Sequence, residues 1–176
     1  MNELQQLRAQ IDQFMGRHPQ SPIPQEQRLD FEGLKYYDHN PDLVFQVQLE
    51  RFPQATPMVT METSTGDNRP YRKYGRFSFT VNGEEAELTI FSDIYGQEFF
   101  LPFRDATSGK ETYGAGRYMD NGRPAIRQLS DDIFVIDFNY AYSPYCAYQS
   151  TYSCPIPPME NWLKLAIEAG EKNFEG

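Results

Sequence analysis

The sequence predicts a mainly β fold, an antiparallel β-sandwich or partly closed β-barrel, with an N-terminal α-helix and a long ordered Pro/Tyr-rich loop. Three observations predict it. Short runs alternate apolar and polar residues, as in Phe77-Ser78-Phe79-Thr80-Val81, which is the period of a half-buried strand. Turn signals separate such runs, the sharpest being Asn82-Gly83, a pair that tolerates the positive φ angles of a tight hairpin. Between Asp137 and Asn161 lie four prolines, five tyrosines and two cysteines. The prolines forbid regular helix or a central strand there, while the tyrosines make the stretch too aromatic for a disordered linker.

In chain order, residues 1–20 are read as an amphipathic helix and residues 21–176 as a single β-rich domain. Leu4, Leu7, Ile11 and Phe14 recur at helical spacing. Asn2 can cap this helix, and Gly16 followed by Pro19 can stop it. Its apolar stripe is narrow and is expected to dock on the sheet or on a second copy, giving a homodimer. Pro24 with Gln25-Glu26-Gln27 can open one further helical turn. Alternation then predicts strands at Leu43 to Glu50, at Met58 to Glu62, and at Phe77 to Val81 with a return over Ala86 to Ile90. Further strands are expected over Glu98 to Phe103, Gly116 to Met119, Ala125 to Leu129, Ile133 to Phe138 and Leu163 to Ile167. The last run also fits a helical period. The Pro/Tyr-rich loop is expected to lie over the mouth or edge of the sheet.

A chain of 176 residues with net charge −9 is long enough for one domain with a real core, and its charge repels nucleic acid and anionic membrane. No run reaches the apolar length of a membrane span. The first residues lack the form of a signal sequence, so the cytoplasm is the expected compartment. Arg69, Arg72, Lys73 and Arg76, interleaved with Tyr71 and Tyr74, form one basic cluster. Against the acidic whole it reads as a solvated edge or loop rather than a nucleic-acid surface.

The stretch Phe103 to Tyr118 carries the other chemistry. Gly109-Lys110 imitates the end of a phosphate-binding loop, but Glu111 stands where Ser or Thr would hold magnesium. Gly114-Ala115-Gly116 lacks the third glycine of a dinucleotide fingerprint, position 119 being Met. No cofactor is therefore expected. Arg104, Lys110 and Arg117 nonetheless place three cationic donors among flexible glycines, a set suited to carboxylate or phosphate. The competing reading has Arg104 or Arg117 paired with Asp105 or Asp137, merely pinning the loops. Cys146 and Cys154 are read first as buried thiols packed as small apolar groups, then as a short-loop disulfide, and third as a redox or metal pair. His18 and His39 lie far off in sequence, and a zinc site needs about four ligands, so no metal is expected.

Several motifs match a known family. Asp105-x-Thr107-x-Gly109-x-Glu111-Thr112-Tyr113-Gly114-x-Gly116-Arg117-Tyr118 is one, and Asp137-Phe138-Asn139-x-Ala141-Tyr142-x-Pro144-x-Cys146-Ala147-Tyr148 is another. Cys154-Pro155-x-Pro157-Pro158-x-x-Asn161 and Ala169-Gly170-Glu171-Lys172 complete the set. Over about residues 20–176 the chain resembles a bacterial and archaeal domain of unknown function, number sixteen-eighty-four. The resemblance implies no activity, but it implies that the two loops and the tail form one unit.

The functional expectation is a pocket for a small anionic ligand between the Gly/Arg loop and the Pro/Tyr loop. Arg104, Lys110 and Arg117 would supply charge, Tyr113, Tyr142 and Tyr148 the walls, and Asp137 and Asn139 the orienting groups, with Thr107 and Asn161 also among the ligand-binding residues. Two rival readings are a hydrolase or lyase using Asp105, Asp137 or Glu171 as general acid and base, and a protein-interaction or dimerisation module.

Overall fold

A computed structural model of the chain describes residues 1–174. Helix α1 spans Glu3–Arg17, and Asn2 opens it with a capping box, its side chain accepting from the Gln5 N–H while the Gln5 side chain accepts from the Asn2 N–H. Leu4 and Met15 are buried, and Leu7, Ile11 and Phe14 pack partly buried against the rest of the chain. The helical stripe is thus covered by its own chain. Helix α2, Gln25–Arg28, is the single turn expected after Pro24.

Among the described residues nine strands follow: β1 Val44–Gln48, β2 Glu50–Arg51, β3 Val59–Glu62, β4 Asn68–Val81, β5 Glu84–Ser92, β6 Phe99–Phe103, β7 Arg117–Asp120, β8 Ile126–Gln128 and β9 Ile133–Asp137. They form two antiparallel sheets. The smaller has the order β1-β9-β8, and the larger β2-β4-β5-β6-β7, with β3 beside the first part of β4. The sheets are not closed into a barrel, so the sandwich form of the expectation holds.

The β4–β5 hairpin sets the frame. Asn82 and Gly83 take φ of 49° and 81°, the mirror-image turn that matches strand twist. The register Phe77↔Leu88 and Phe79↔Ala86 puts the apolar side chains on one face. That face meets the small sheet in one continuous core, where Phe77, Phe79, Leu88, Ile90, Leu101 and Phe103 pack with Val47, Ile126, Phe134 and Ile136.

One expected strand is absent. Leu163 to Ile167 is neither strand nor helix. Leu165 and Ile167 are buried while Lys164 and Glu168 are exposed, so the period-two pattern is right and the ladder is wrong. The tail runs beside the loop after β6 instead, with Leu163 N–H donating to Arg104 O at 2.7 Å and Ala106 N–H to Leu165 O at 2.9 Å. Ile167 bonds to side chains instead, its N–H donating to Asp105 and its carbonyl accepting from Arg117. Smaller departures occur at strand ends, Phe138 for example opening a 3₁₀ turn capped by Asp137.

Candidate functional site

The two loops singled out in the sequence lie side by side. Tyr118 and Tyr142 exchange backbone hydrogen bonds at 2.8 and 3.0 Å. Tyr113 donates from its hydroxyl to Cys146 Sγ at 3.5 Å, and Arg104 N–H donates to Asn161 O at 3.0 Å.

The groups expected to meet a ligand are largely taken by the protein itself. Arg117 is 0% exposed. Its Nη2 donates to Ile167 O at 2.8 Å and to Asp105 Oδ2 at 3.5 Å, and its Nη1 donates to Ala169 O and to Glu171 O. Phe103 packs its ring beneath the guanidinium, 5.2 Å from centroid to Cζ. Burial pushes the Arg117 pKa down while Asp105 pushes it up. Asp105 Oδ2 also accepts from the Ile167 N–H at 2.6 Å and from Thr107 Oγ1 at 2.9 Å. The arrangement is an internal clasp that fastens the tail to the Gly/Arg loop, and it is the pinning role weighed above.

The remaining expected residues divide between inside and outside. Asn161 is buried, accepting from Thr89 N–H at 2.9 Å and donating to Thr89 O and Pro102 O at 2.9 and 2.8 Å. Asn139 bridges Asn40 and Asp137 in the same manner. Tyr142 donates to Asp120, with Arg123 stacked 3.8 Å over its ring. Tyr148 donates to Glu171, which also accepts from the Ser143 N–H at 3.2 Å. Glu171 is 1% exposed, and desolvation raises its pKa above the ordinary carboxyl value while the Tyr148 and Ser143 bonds oppose the rise. Arg104 lies 4.6 Å over the Trp162 ring, and Lys110 is exposed.

Five surface clefts of about 370 to 580 Å³ are lined by other residues. Four of the five carry carboxylates in their walls, such as Asp93, Glu98 and Asp120 beside Tyr71 and Phe100. The fifth, of about 370 Å³, is lined by Arg51, Arg72 and Lys73 with Phe52, Tyr74 and Tyr95 among its walls, and holds no carboxylate. Pairing of β2 with β4, Arg51 opposite Gly75, brings Arg51 to the cluster. A bulge between Lys73 and Gly75 kinks β4 at the same point.

Each cation of this cleft is held in place. Arg72 donates from Nη1 to Gln54 O at 3.1 Å and from Nη2 to Ile94 O at 3.3 Å, and meets no carboxylate among the described residues. Arg51 lies 4.0 Å over the Tyr74 ring, with Asp132 at 4.0 Å. Lys73 pairs with Glu160 at 3.2 Å and lies 4.6 Å from the centre of the Phe52 ring. The sequence offered Arg72 and Lys73, with Arg69 and Arg76, as a basic cluster on a solvated edge or loop, but Arg51, Phe52 and Tyr95 gave no signal, because strand pairing and a turn deliver them.

Among the described residues, no three His, Cys, Asp or Glu side chains gather as metal ligands. No helix among the described residues is long and apolar enough to cross a membrane. A family model described as "Protein of unknown function (DUF1684)" matches residues 29–172. No curated protein matches the chain. Among solved structures, the chain is similar to an uncharacterized protein from gene locus rrnAC0354 of Haloarcula marismortui, determined by solution NMR. The two share 40% identity with a TM-score of 0.72, over 97% of this chain and 92% of that one.

Proposed function

We propose, for a chain that belongs to the DUF1684 family of proteins of unknown function, that it binds a small anionic ligand in the cleft between β2, β4 and the β5–β6 turn. One observation carries this reading. Of the five clefts, this one alone is lined by three cations, Arg51, Arg72 and Lys73, with no carboxylate in its lining, in a protein of net charge −9; Glu160 and Asp132 meet Lys73 and Arg51 from outside it, and Arg72 has no such partner among the described residues. A guanidinium has five donor hydrogens, and Arg72 gives only two hydrogen bonds to carbonyls, so it retains donors for a carboxylate or phosphate. At about 370 Å³ the cleft is at the small end of ligand sites.

This moves the expected anion site away from Arg104, Lys110 and Arg117, since Arg117 is buried and spent on the tail. It also favours binding over a hydrolase or lyase reaction. Asp105, Asp137 and Glu171 are each held by hydrogen-bond donors, and none of them lines any of the five clefts.

Titration of isotope-labelled protein with inorganic phosphate, and separately with benzoate, tests the proposal by NMR. Saturable shifts centred on Arg51, Arg72 and Tyr95 are expected with at least one of the two, weakening about tenfold in Arg72→Ala. Shifts that fail to saturate with both probes, or are identical in Arg72→Ala, would overturn it.

A further inference from the structure

The Pro/Tyr-rich loop holds a second chemistry that the anion cleft does not use. Cys146 sits in a 3₁₀ turn, Tyr145–Ala147, and is partly exposed, while Cys154 is buried. Cys146 N–H donates to Cys154 Sγ at 3.3 Å. Because Cα is one bond from that nitrogen, the Cys154 sulfur lies no more than about 4.8 Å from Cys146 Cα, a separation that disulfide geometry can close. The far side of the loop is anchored on the β3–β4 turn. Cys154 N–H donates to Ser64 Oγ at 3.1 Å, Ser64 N–H donates to Cys154 O at 2.9 Å, and Arg69 donates to Ser153 O at 2.5 Å.

We propose that Cys146 and Cys154 form a dithiol site that reduces hydroperoxides, closes to a disulfide, and is reopened by thiol–disulfide exchange with an external dithiol, which is itself oxidised to a disulfide. Cys146, the more exposed residue of the pair and the one whose sulfur receives the Tyr113 hydroxyl hydrogen bond, attacks first. Its sulfur takes the outer peroxide oxygen, the O–O bond breaks, and the thiol proton leaves with the departing alkoxide as an alcohol, or as water from hydrogen peroxide. Cys154 then attacks the sulfenic sulfur, the S–S bond forms, and the expelled hydroxide takes the second thiol proton as water. Two thiols lose two electrons, and the peroxide gains them. Burial raises the Cys154 pKa to about 11, so this thiol stays protonated near neutral pH and acts in the second step, where its neighbour is already electrophilic.

The test treats the intact protein with hydrogen peroxide, then counts free thiols and maps peptides by mass spectrometry. Both thiols should disappear together, joined in one intramolecular bridge, and dithiothreitol should restore both. In Cys154→Ser, dimedone should trap a sulfenic acid at Cys146, and in Cys146→Ser, Cys154 should stay unmodified. Met159, 75% exposed, reports that oxidant reached the protein. Two intact thiols beside oxidised Met159, sulfinic acid in place of the bridge, or cross-linked dimers would each overturn the proposal. If either serine variant fails to fold, the unsubstituted protein decides the matter.

Discussion

Arg117 and Arg72 carry the same guanidinium, yet one is 0% exposed and the other lines an open cleft. Arg117 is surrounded by the carbonyls of Ile167, Ala169 and Glu171 and by the Asp105 carboxylate. Those acceptors all belong to the chain, so the anion that Arg117 recognises is internal. Arg72 rests on the carbonyls of Gln54 and Ile94 and finds no carboxylate among the described residues. The difference teaches that a guanidinium can be spent on its own chain or keep donors in reserve, and under the proposed function that reserve is what a ligand meets. The number of donors left over distinguishes them.

Replacing Arg117 by Met is the strongest way to break this contrast. It strips three tail carbonyls of a donor and leaves the buried Asp105 charge without its cation, and breaking a buried ion pair costs about 3–5 kcal/mol. Against a domain stability of about 5–15 kcal/mol, urea unfolding should show a large loss. Adding Asp105→Asn should recover part of it, since the orphaned charge is removed while the side-chain oxygen can still accept from Ile167 N–H. An Arg117→Met protein as stable as the parent would return Arg117 to the list of ligand donors.

Glu171 sharpens the comparison from the acidic side. Desolvation raises its pKa in the folded protein above 4.5, and Tyr148, Ser143 and Arg123 only moderate the rise. Between 4.5 and that higher value the folded state binds more protons than the unfolded chain, so stability falls as pH rises through the window and levels off above it. Glu171→Gln removes this titration. The stability of the parent relative to Glu171→Gln should therefore decline as pH rises above the ordinary carboxyl value of 4.5, a smaller effect than loss of Arg117. Parallel urea midpoints for the two proteins across that range would contradict a desolvated Glu171.

The frame was legible because its signals are local. Asn2 and Gln5 sit three residues apart in one capping box, and Asn82-Gly83 spells the turn that joins Phe77 and Phe79 to Leu88. The tail was half legible, since the alternation of Leu165 and Ile167 with charged neighbours reports burial on one side. It does not report whether the backbone finds a strand partner, and here Asp105 Oδ2 takes the Ile167 N–H. The role of Arg117 was hidden for a similar reason. Three of its four acceptors are backbone carbonyls, which every residue carries and which leave no mark in a sequence. The cleft was half visible, as Arg72 and Lys73 are neighbours on β4, whereas Arg51 reaches them only through the pairing of β2 with β4.

Arg72→Ala should have the least effect on the fold, and for that reason it completes the comparison. Arg72 gives up two hydrogen bonds to Gln54 O and Ile94 O, both on exposed segments where water can replace the lost donor. No carboxylate among the described residues loses a partner, and the core clusters do not include the residue. Surface changes of this kind stay within about 0.5 kcal/mol, so the urea midpoint should be close to that of the parent while phosphate or benzoate binding weakens. A loss comparable to that of Arg117→Met would mean that Arg72, too, is an internal fastener. The carboxylate-free cleft would then be a by-product of holding the β5–β6 turn in place.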